Sequence, residues 1–214
     1  MASAIIQSAG MLTTVQDKGR YGYQRYGMPI AGAMDVFSLQ LANALVGNER
    51  GAACLEATFT GPDIHFTGDG VIAITGADMG PAVNGIPVPL NKSLKVVRGD
   101  MLTFSGLKNG FRTYIAFAGG INVPVVMGSR STYLRSNTGG FEGRALMAGD
   151  ELPLGEITGR TKEAEIPEGM IPRYQSEQTI RIISGPEAGR FTLEGIHSFL
   201  TSEYKITGKS DRMG

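Results

Sequence analysis

Cysteine, histidine and tryptophan are the scarcest residues of this 214-residue chain. It contains one cysteine, two histidines and no tryptophan. A single cysteine excludes an internal disulfide, and so few Cys and His residues exclude a zinc site with four such ligands. Cys54 stands between Ala53 and Leu55, which favours a small buried side chain over a reactive nucleophile.

An excess of charge of one sign is also missing. Lys and Arg total 20, Asp and Glu total 20, and the formal net charge is zero. A chain-wide grip on nucleic acid needs a basic surface, so we expect no nucleic-acid partner. No apolar run reaches the ~18 residues of a membrane span, and the N-terminus has no basic segment typical of a signal peptide. The sequence predicts a soluble, cytoplasmic protein without a membrane partner.

Several signatures of common enzyme classes are absent. The sequence lacks a Gly-x4-Gly-Lys-Ser/Thr phosphate loop, a Gly-x-Ser-x-Gly elbow and a His-Glu-x-x-His motif. Gly68-Asp69-Gly70 precedes a predicted strand instead of following one, which argues against a dinucleotide-binding turn. A Met-Lys-Met biotin-attachment sequence is absent as well, so we expect that this chain does not carry biotin.

Glycine, by contrast, is abundant. The chain has 31 glycines, about twice the usual share of ~7%, and without a repeat this indicates many tight turns. Apolar and β-branched runs predict strands at 71–75, 94–97, 101–104 and 113–118. Asn84-Gly85 predicts a two-residue turn, and Arg98-Gly99-Asp100 predicts a hairpin between its flanking strands. Short strands joined by glycine-rich turns are typical of a β-barrel or sandwich.

One helix is predicted early in the chain. Asp35 can cap its start, Phe37, Leu41 and Leu45 fall on one face, and Gly47 can end it.

A charged, proline-containing segment at 156–178 predicts a linker. Thr179–Ser184 then predicts a new strand, and a second short helix is predicted near 191–200. We therefore expect one lobe at 1–155 and the beginning of a second lobe at 179–214, which is too short to bury a core alone.

Polar residues beside glycines form candidate sites in the first half of the chain. Residues 16–20 hold an amide, a carboxylate and a guanidinium. They form either a turn in which Asp17 caps backbone amides and Arg20 pairs with Asp17, or a corner that binds a carboxylate or oxyanion. Asp35 is either the helix cap or a carboxylate that holds a substrate amide or amine.

Two further loops have a similar character. Residues 128–135 interleave hydroxyls with Arg130 and resemble an anion cradle, the alternative being a solvated loop. In 139–144, Glu142 and Arg144 form either a ligand site or a surface ion pair. We expect these loops and the one after Thr14 to converge on one polar groove, because barrels gather loops at their rims. The groove should hold more Arg than Lys, since planar oxygen groups suit a guanidinium fork.

Read in order, these motifs resemble the biotin-dependent carboxyltransferase family, also called the allophanate hydrolase subunit 2 or KipA-like family. The matching stretches cover nearly the whole chain and include 13–17, 32–35, 42–48, 55–56, 75–77, 118–121, 128–132, 140–144 and 210–214.

The resemblance implies a mainly β fold of two cyclophilin-like β-barrel lobes. Members run on past the Ser210–Gly214 motif, so we expect the second lobe to be incomplete here. The family also implies a KipI-like partner, which is the B component of the complexes that such chains form. One bacterial role is the C component of a 5-oxoprolinase. For this role the resemblance implies that such a chain, together with the A and B components, converts 5-oxo-L-proline to L-glutamate with ATP and water.

The resemblance leaves two other functions open. One is a carboxyltransferase component for urea or an allophanate-type substrate, which would need a biotinylated partner. The other is a regulatory antagonist of a KipI-like inhibitor of a histidine kinase. For the hydrolase, ATP with Mg²⁺ is the implied cofactor of the complex.

Residue type, rather than family assignment, selects the candidate site residues. Cleavage of an activated lactam builds negative charge on oxygen, which arginines and backbone amides can stabilise. The catalytic candidates are Arg20, Arg130 and Arg144, with Asp17 and Glu142 to orient them or handle a proton. The candidates for substrate binding are Gln16, Asp35, Asn43, Ser129, Ser131 and Gly140. No metal-ligating residues are predicted.

Overall fold

The computed structural model describes residues 3–157, 163–173, 175, 177 and 179–205. The chain divides into two compact units, Met1–Tyr174 and Gln175–Gly214. The Ser210–Gly214 motif and residues 158–162 of the predicted linker lie outside the described residues.

The first unit is built from two antiparallel sheets. Its strands are β1 Ser3–Ser8, β2 Leu12–Gln16, β3 Cys54–Thr58, β4 Asp63–Phe66, β5 Gly70–Asp78, β6 Pro81–Val83, β7 Ile86–Pro87, β8 Ser93–Val96, β9 Met101–Phe104, β10 Asn109–Phe117 and β11 Glu151–Pro153. One sheet has the order β11-β1-β4-β9-β6-β7, and the other has the order β2-β3-β10-β5-β8. The mainly β class predicted from the sequence is confirmed.

The main core lies between the two sheets. Ile6 and Phe66 reach it from the first sheet, and Ile74, Ile115 and Phe117 reach it from the second. Strand residues alternate between two faces, so the residues next to these point the other way. In the second sheet this outer face is also buried, because a helix covers it.

That helix is α1, Val36–Leu45, and it confirms the predicted early helix. Asp35 caps it by accepting a hydrogen bond from the Ser38 amide at 3.0 Å. Gly47 follows the helix with φ of 74°, the left-handed conformation expected at a C-terminal cap. Ala73 and Ala116 face the helix from β5 and β10, and their small side chains allow close packing.

The two predicted turns have different outcomes. Asn84-Gly85 joins β6 to β7, with Val83 opposite Ile86, as predicted. The predicted hairpin at 98–100 is wrong, because β8 pairs with β5 whereas β9 pairs with β4 and β6. The 98–100 turn therefore carries the chain from one sheet to the other.

Part of the segment predicted as a linker belongs to the first unit. The Ser93 amide donates to the Ala164 carbonyl at 2.8 Å, and the Ile166 amide donates to the Asn91 carbonyl at 2.9 Å. These contacts cover the outer edge of β8. The predicted domain boundaries stay a prediction.

The second unit contains the helix α2, Leu193–Thr201, which Thr192 caps; a helix was predicted here. The strand predicted at 179–184 is wrong, because these residues have no regular structure and Ile180 and Ile183 are exposed. A strand needs a hydrogen-bonded neighbour, and the described residues of this segment have none. Short 3₁₀ helices occur at Gln24–Tyr26, Leu134–Ser136, Glu168–Met170 and Ala188–Arg190. None of the helices described is long and apolar enough to cross a membrane.

Candidate functional site

A polar groove of about 490 Å³ opens on the first unit where the end of α1 meets three glycine-rich turns. Its polar lining residues are Asp17, Lys18, Asn48, Glu49, Asn122, Arg130 and Glu156. Its lining glycines are Gly47, Gly51, Gly119, Gly120, Gly128 and Gly155. Glycines bring the backbone itself to the surface of the groove, so a ligand here can approach main-chain groups closely.

Two asparagines fix the floor of the polar groove. Asn48 accepts a hydrogen bond from the Gly119 amide at 2.9 Å and donates to the Phe117 carbonyl at 2.8 Å. It also donates to Oδ1 of Asn43 at 3.0 Å, and Asn43 in turn donates to the Ala52 carbonyl at 2.8 Å. Asn43, a predicted binding residue, is fully buried and lies behind the groove.

The carboxylate of Asp17 ties two loops together at the wall of the polar groove. Its Oδ1 accepts from the Gly19 amide at 2.7 Å and from the hydroxyls of Ser129 and Ser131 at 2.7 and 2.5 Å. Its Oδ2 accepts from the Arg130 amide at 2.6 Å. Ser129 and Ser131, predicted to bind substrate, are buried and face Asp17.

Arg130 is held in place but keeps free donors. Its Nε donates to the Val123 carbonyl at 2.9 Å. Its Nη1 and Nη2 have no hydrogen-bond partner among the residues that the structure describes. A guanidinium with one edge anchored and its terminal nitrogens unused can bind carboxylate or phosphate oxygens.

Lys18 is the second cation of the polar groove. Its side chain is exposed, and its stem runs beside Gly51, where a Cβ would meet Lys18 Cδ at 3.0 Å. Lys18 directly follows the 13–17 stretch, but the sequence did not single it out, because an exposed lysine usually marks only a solvated surface. The groove holds one arginine and one lysine, so the expected excess of arginine is not found.

Arg20 and Gln16 lie in the interior instead of the groove. Arg20 is fully buried, and its Nη2 donates to the Ser131 carbonyl. Burial lowers the pKa of Arg20, and the nearby Asp17 carboxylate opposes that shift. Gln16 is also buried and donates to Oγ1 of Thr14 and the Thr132 carbonyl at 2.9 and 3.2 Å.

Glu142 and Gly140 line a separate apolar groove of about 310 Å³, which shares Asn122 with the polar groove. Arg144 lies beside it and forms two parallel hydrogen bonds with Asp150, at 2.7 and 2.8 Å. It also pairs with Glu142 at 2.7 Å. The hydrogen bonds to Arg144 hold the pKa of Asp150 below its usual value, and the pKa of Arg144 is raised in return.

The side chains of the candidate residues therefore lie in different places, although the loops that carry them touch. Loop 16–20 meets loop 128–132 through the hydrogen bonds of Asp17 and Arg20, and the Gly140 amide joins loop 139–143 to the Arg130 carbonyl at 3.1 Å. Of the catalytic candidates, however, only Asp17 and Arg130 line the polar groove. Asp35 caps α1, and its amide donates to the Tyr114 hydroxyl at 2.7 Å.

Metal ligands do not gather in the part of the chain that the structure describes. Within it, His, Cys, Asp and Glu side chains form no group of three or more that could hold a metal ion. The free guanidinium of Arg130, the ammonium of Lys18 and the exposed backbone instead suit an anionic or strongly polarised oxygen ligand.

Known proteins match this chain over nearly its whole length. It is 39% identical over 206 residues to the C component of the 5-oxoprolinase of Escherichia coli K12, covering 96% of this chain and 65% of that protein. It is 38% identical over 222 residues to the urea amidolyase of Lachancea kluyveri, covering 98% of this chain and 12% of that protein. The chain thus spans about two thirds of the first relative and a small part of the second.

A solved structure agrees with these sequence matches. The urea amidolyase of K. lactis superposes with a TM-score of 0.89 at 34% identity, covering 98% of this chain and 13% of that one. This likeness confirms the mainly β, cyclophilin-like fold class. The family described as carboxyltransferase domain, subdomain A and B, matches residues 26–214. This match shows that the chain belongs to the carboxyltransferase domain A and B family.

Proposed function

We propose that this chain is the C component of an ATP-dependent 5-oxoprolinase, acting with a KipI-like B component and an A component. The observation that carries the proposal is the free Arg130 fork in a groove of glycine backbone, in a chain 39% identical to a 5-oxoprolinase C component. The substrate, 5-oxo-L-proline, carries a carboxylate and a lactam carbonyl. Both offer oxygen atoms that the guanidinium of Arg130 and the ammonium of Lys18 can bind.

Cleavage of the lactam requires the protein to stabilise negative charge on oxygen. ATP bound to the assembled complex supplies the phosphate that activates the lactam carbonyl. In this chain, Arg130 orients one oxygen group of the substrate through its Nη1 and Nη2, and Lys18 adds a second positive charge at the groove. Fixed donors of this kind lower a barrier because they need no reorganisation as charge develops.

Reconstitution with the partner proteins tests the proposal. The protein is co-expressed with the A and B components, and release of ADP and glutamate is measured with 5-oxo-L-proline. We expect a stable complex, a higher soluble yield on co-expression, and turnover that requires all three components and ATP. Full activity of this protein alone, or a complete complex that leaves 5-oxo-L-proline unchanged, would contradict the proposal.

A carboxyltransferase acting on urea or an allophanate-type substrate is the second candidate. The observation in its favour is the 38% identity to a urea amidolyase over 98% of this chain. That reaction would need a biotinylated partner. Urea-dependent ADP release that stops when avidin is added would favour it over the oxoprolinase.

A purely regulatory role as an antagonist of a KipI-like kinase inhibitor predicts a third result. The complex with the KipI-like protein would form, but neither substrate would be consumed. Replacing Arg130 would then leave that complex intact.

A further inference from the structure

The carboxylate of Asp17 is hydrogen-bonded to the protein itself, unlike that of a general acid or base with its oxygens open to substrate. Its carboxylate is nearly buried and accepts from the Gly19 amide, the hydroxyls of Ser129 and Ser131, and the Arg130 amide. Oδ1 accepts three of these hydrogen bonds and Oδ2 accepts one, so both oxygens of the carboxylate are held by groups of the protein itself.

These contacts fix the main chain of Arg130 from both sides. Its amide donates to Asp17, and its carbonyl accepts from the Gly140 amide at 3.1 Å. The next residue, Ser131, is held through its hydroxyl by Asp17 and through its carbonyl by the buried Arg20. Asp17 and Arg20, which carry opposite charges, thus both form hydrogen bonds with the segment 130–131.

The fixed backbone determines where the Arg130 side chain can reach. With its Nε bonded to the Val123 carbonyl at 2.9 Å, only the terminal nitrogens of the guanidinium stay free, at the polar groove. We propose that Asp17 is a positioning residue: it sets the Arg130 fork in the groove and does not itself exchange a proton. The proposal rests on the proposed function only in taking Arg130 as a ligand-binding group.

Chemical modification tests the positioning without any turnover. Phenylglyoxal reacts with accessible guanidinium groups. After the full-length protein has been modified, mass spectrometry of its peptides gives the rate at Arg130. Asp17→Asn places an amide NH₂ among the donors, so the segment should loosen and Arg130 should react about threefold faster or more. Asp100→Asn is the matched control, since Asp100 fixes a remote turn by accepting from the Val97 amide, and the Arg130 rate should not change.

A milder variant covers the case in which Asp17→Asn does not fold. Ser129→Ala removes one hydrogen bond to Asp17 and leaves the charges of Asp17 and Arg20 in place. It should also raise the modification rate of Arg130, as Asp17→Asn does. An unchanged rate in every folded Asp17 and Ser129 variant would overturn the proposal.

Kinetics in the assembled complex then separate positioning from proton transfer. With 5-oxo-L-proline as substrate, Asp17→Asn should lower turnover in the native protein but add less than about twofold in an Arg130→Ala background. The shape of the pH profile should stay the same. Multiplicative losses, or the disappearance of one limb of the pH profile, would overturn the proposal and make Asp17 an acid or base. If the complex has no oxoprolinase activity, the proposed function fails, and the modification rates still decide the role of Asp17.

Discussion

The polar groove and the neighbouring cluster of Glu142, Arg144 and Asp150 use the same residue types in opposite ways. In the cluster, Arg144 binds Asp150 with two hydrogen bonds and Glu142 with a third. In the groove, Arg130 uses only Nε for the protein. A guanidinium whose terminal nitrogens are used internally, as in Arg144, supports the fold, whereas one with free terminal nitrogens at a groove can bind a ligand. The number of partners separates the roles only together with exposure, because Nε and Nη1 of Arg20 also have no hydrogen-bond partner among the described residues but are buried in the interior.

Replacing Arg130 should have the largest effect on activity. Arg130→Ala should lower turnover of the reconstituted complex by about 100-fold or more, by analogy with the loss of one oxyanion donor. Its folding stability should change by less than about 1 kcal/mol, as is usual for a residue with little buried apolar surface. Arg98→Ala, in the exposed turn between the sheets, is the control. Normal turnover together with a large loss of stability would show that Arg130 supports the fold and does not bind the substrate.

The comparison also shows what a sequence can and cannot reveal. The Asp35 cap and the Asn84-Gly85 turn were predictable, because the residues involved lie within three positions of each other. The hairpin at 98–100 was wrong because local turn chemistry does not determine which sheet each strand joins. The burial of Arg20 depends on a carbonyl 111 residues away, which no local pattern records.

Close packing behind the polar groove should be the next most sensitive feature. Gly139 has φ of 69°, and a Cβ there would overlap the Ser131 carbonyl and meet Arg20 Nη2 at 2.6 Å. Gly149 has φ of 92° and open space around it. Both alanine variants should lose about 1–2 kcal/mol from the left-handed backbone, and Gly139→Ala should lose about 2 kcal/mol more from overlap. Equal unfolding midpoints in urea would contradict this tight packing.

Breaking the ion cluster should reduce stability by a smaller amount. Asp150→Asn removes the charge that Arg144 binds, and we expect a loss of about 2 kcal/mol, typical of hydrogen bonds to charged groups. Glu142→Gln is the matched control. Its side chain is 65% exposed, so the loss should stay below about 1 kcal/mol. Urea unfolding at neutral pH measures both. A loss of turnover without a loss of stability in Asp150→Asn would assign the cluster to the site.

The pH dependence of that cluster gives the smallest and most specific effect. Hydrogen bonds to Arg144 lower the pKa of Asp150 in the folded protein, so folding favours its charged form. The stability from this group is present above its unfolded pKa of about 3.9, and it is lost as the pH falls through the lower folded pKa. The difference in unfolding free energy between the native protein and Asp150→Asn should therefore shrink as the pH falls from 6 to 3. Other carboxylates titrate in both proteins and cancel in this difference. A gap between the two proteins that stays constant over this range would show that the Asp150–Arg144 ion pair does not stabilise the fold.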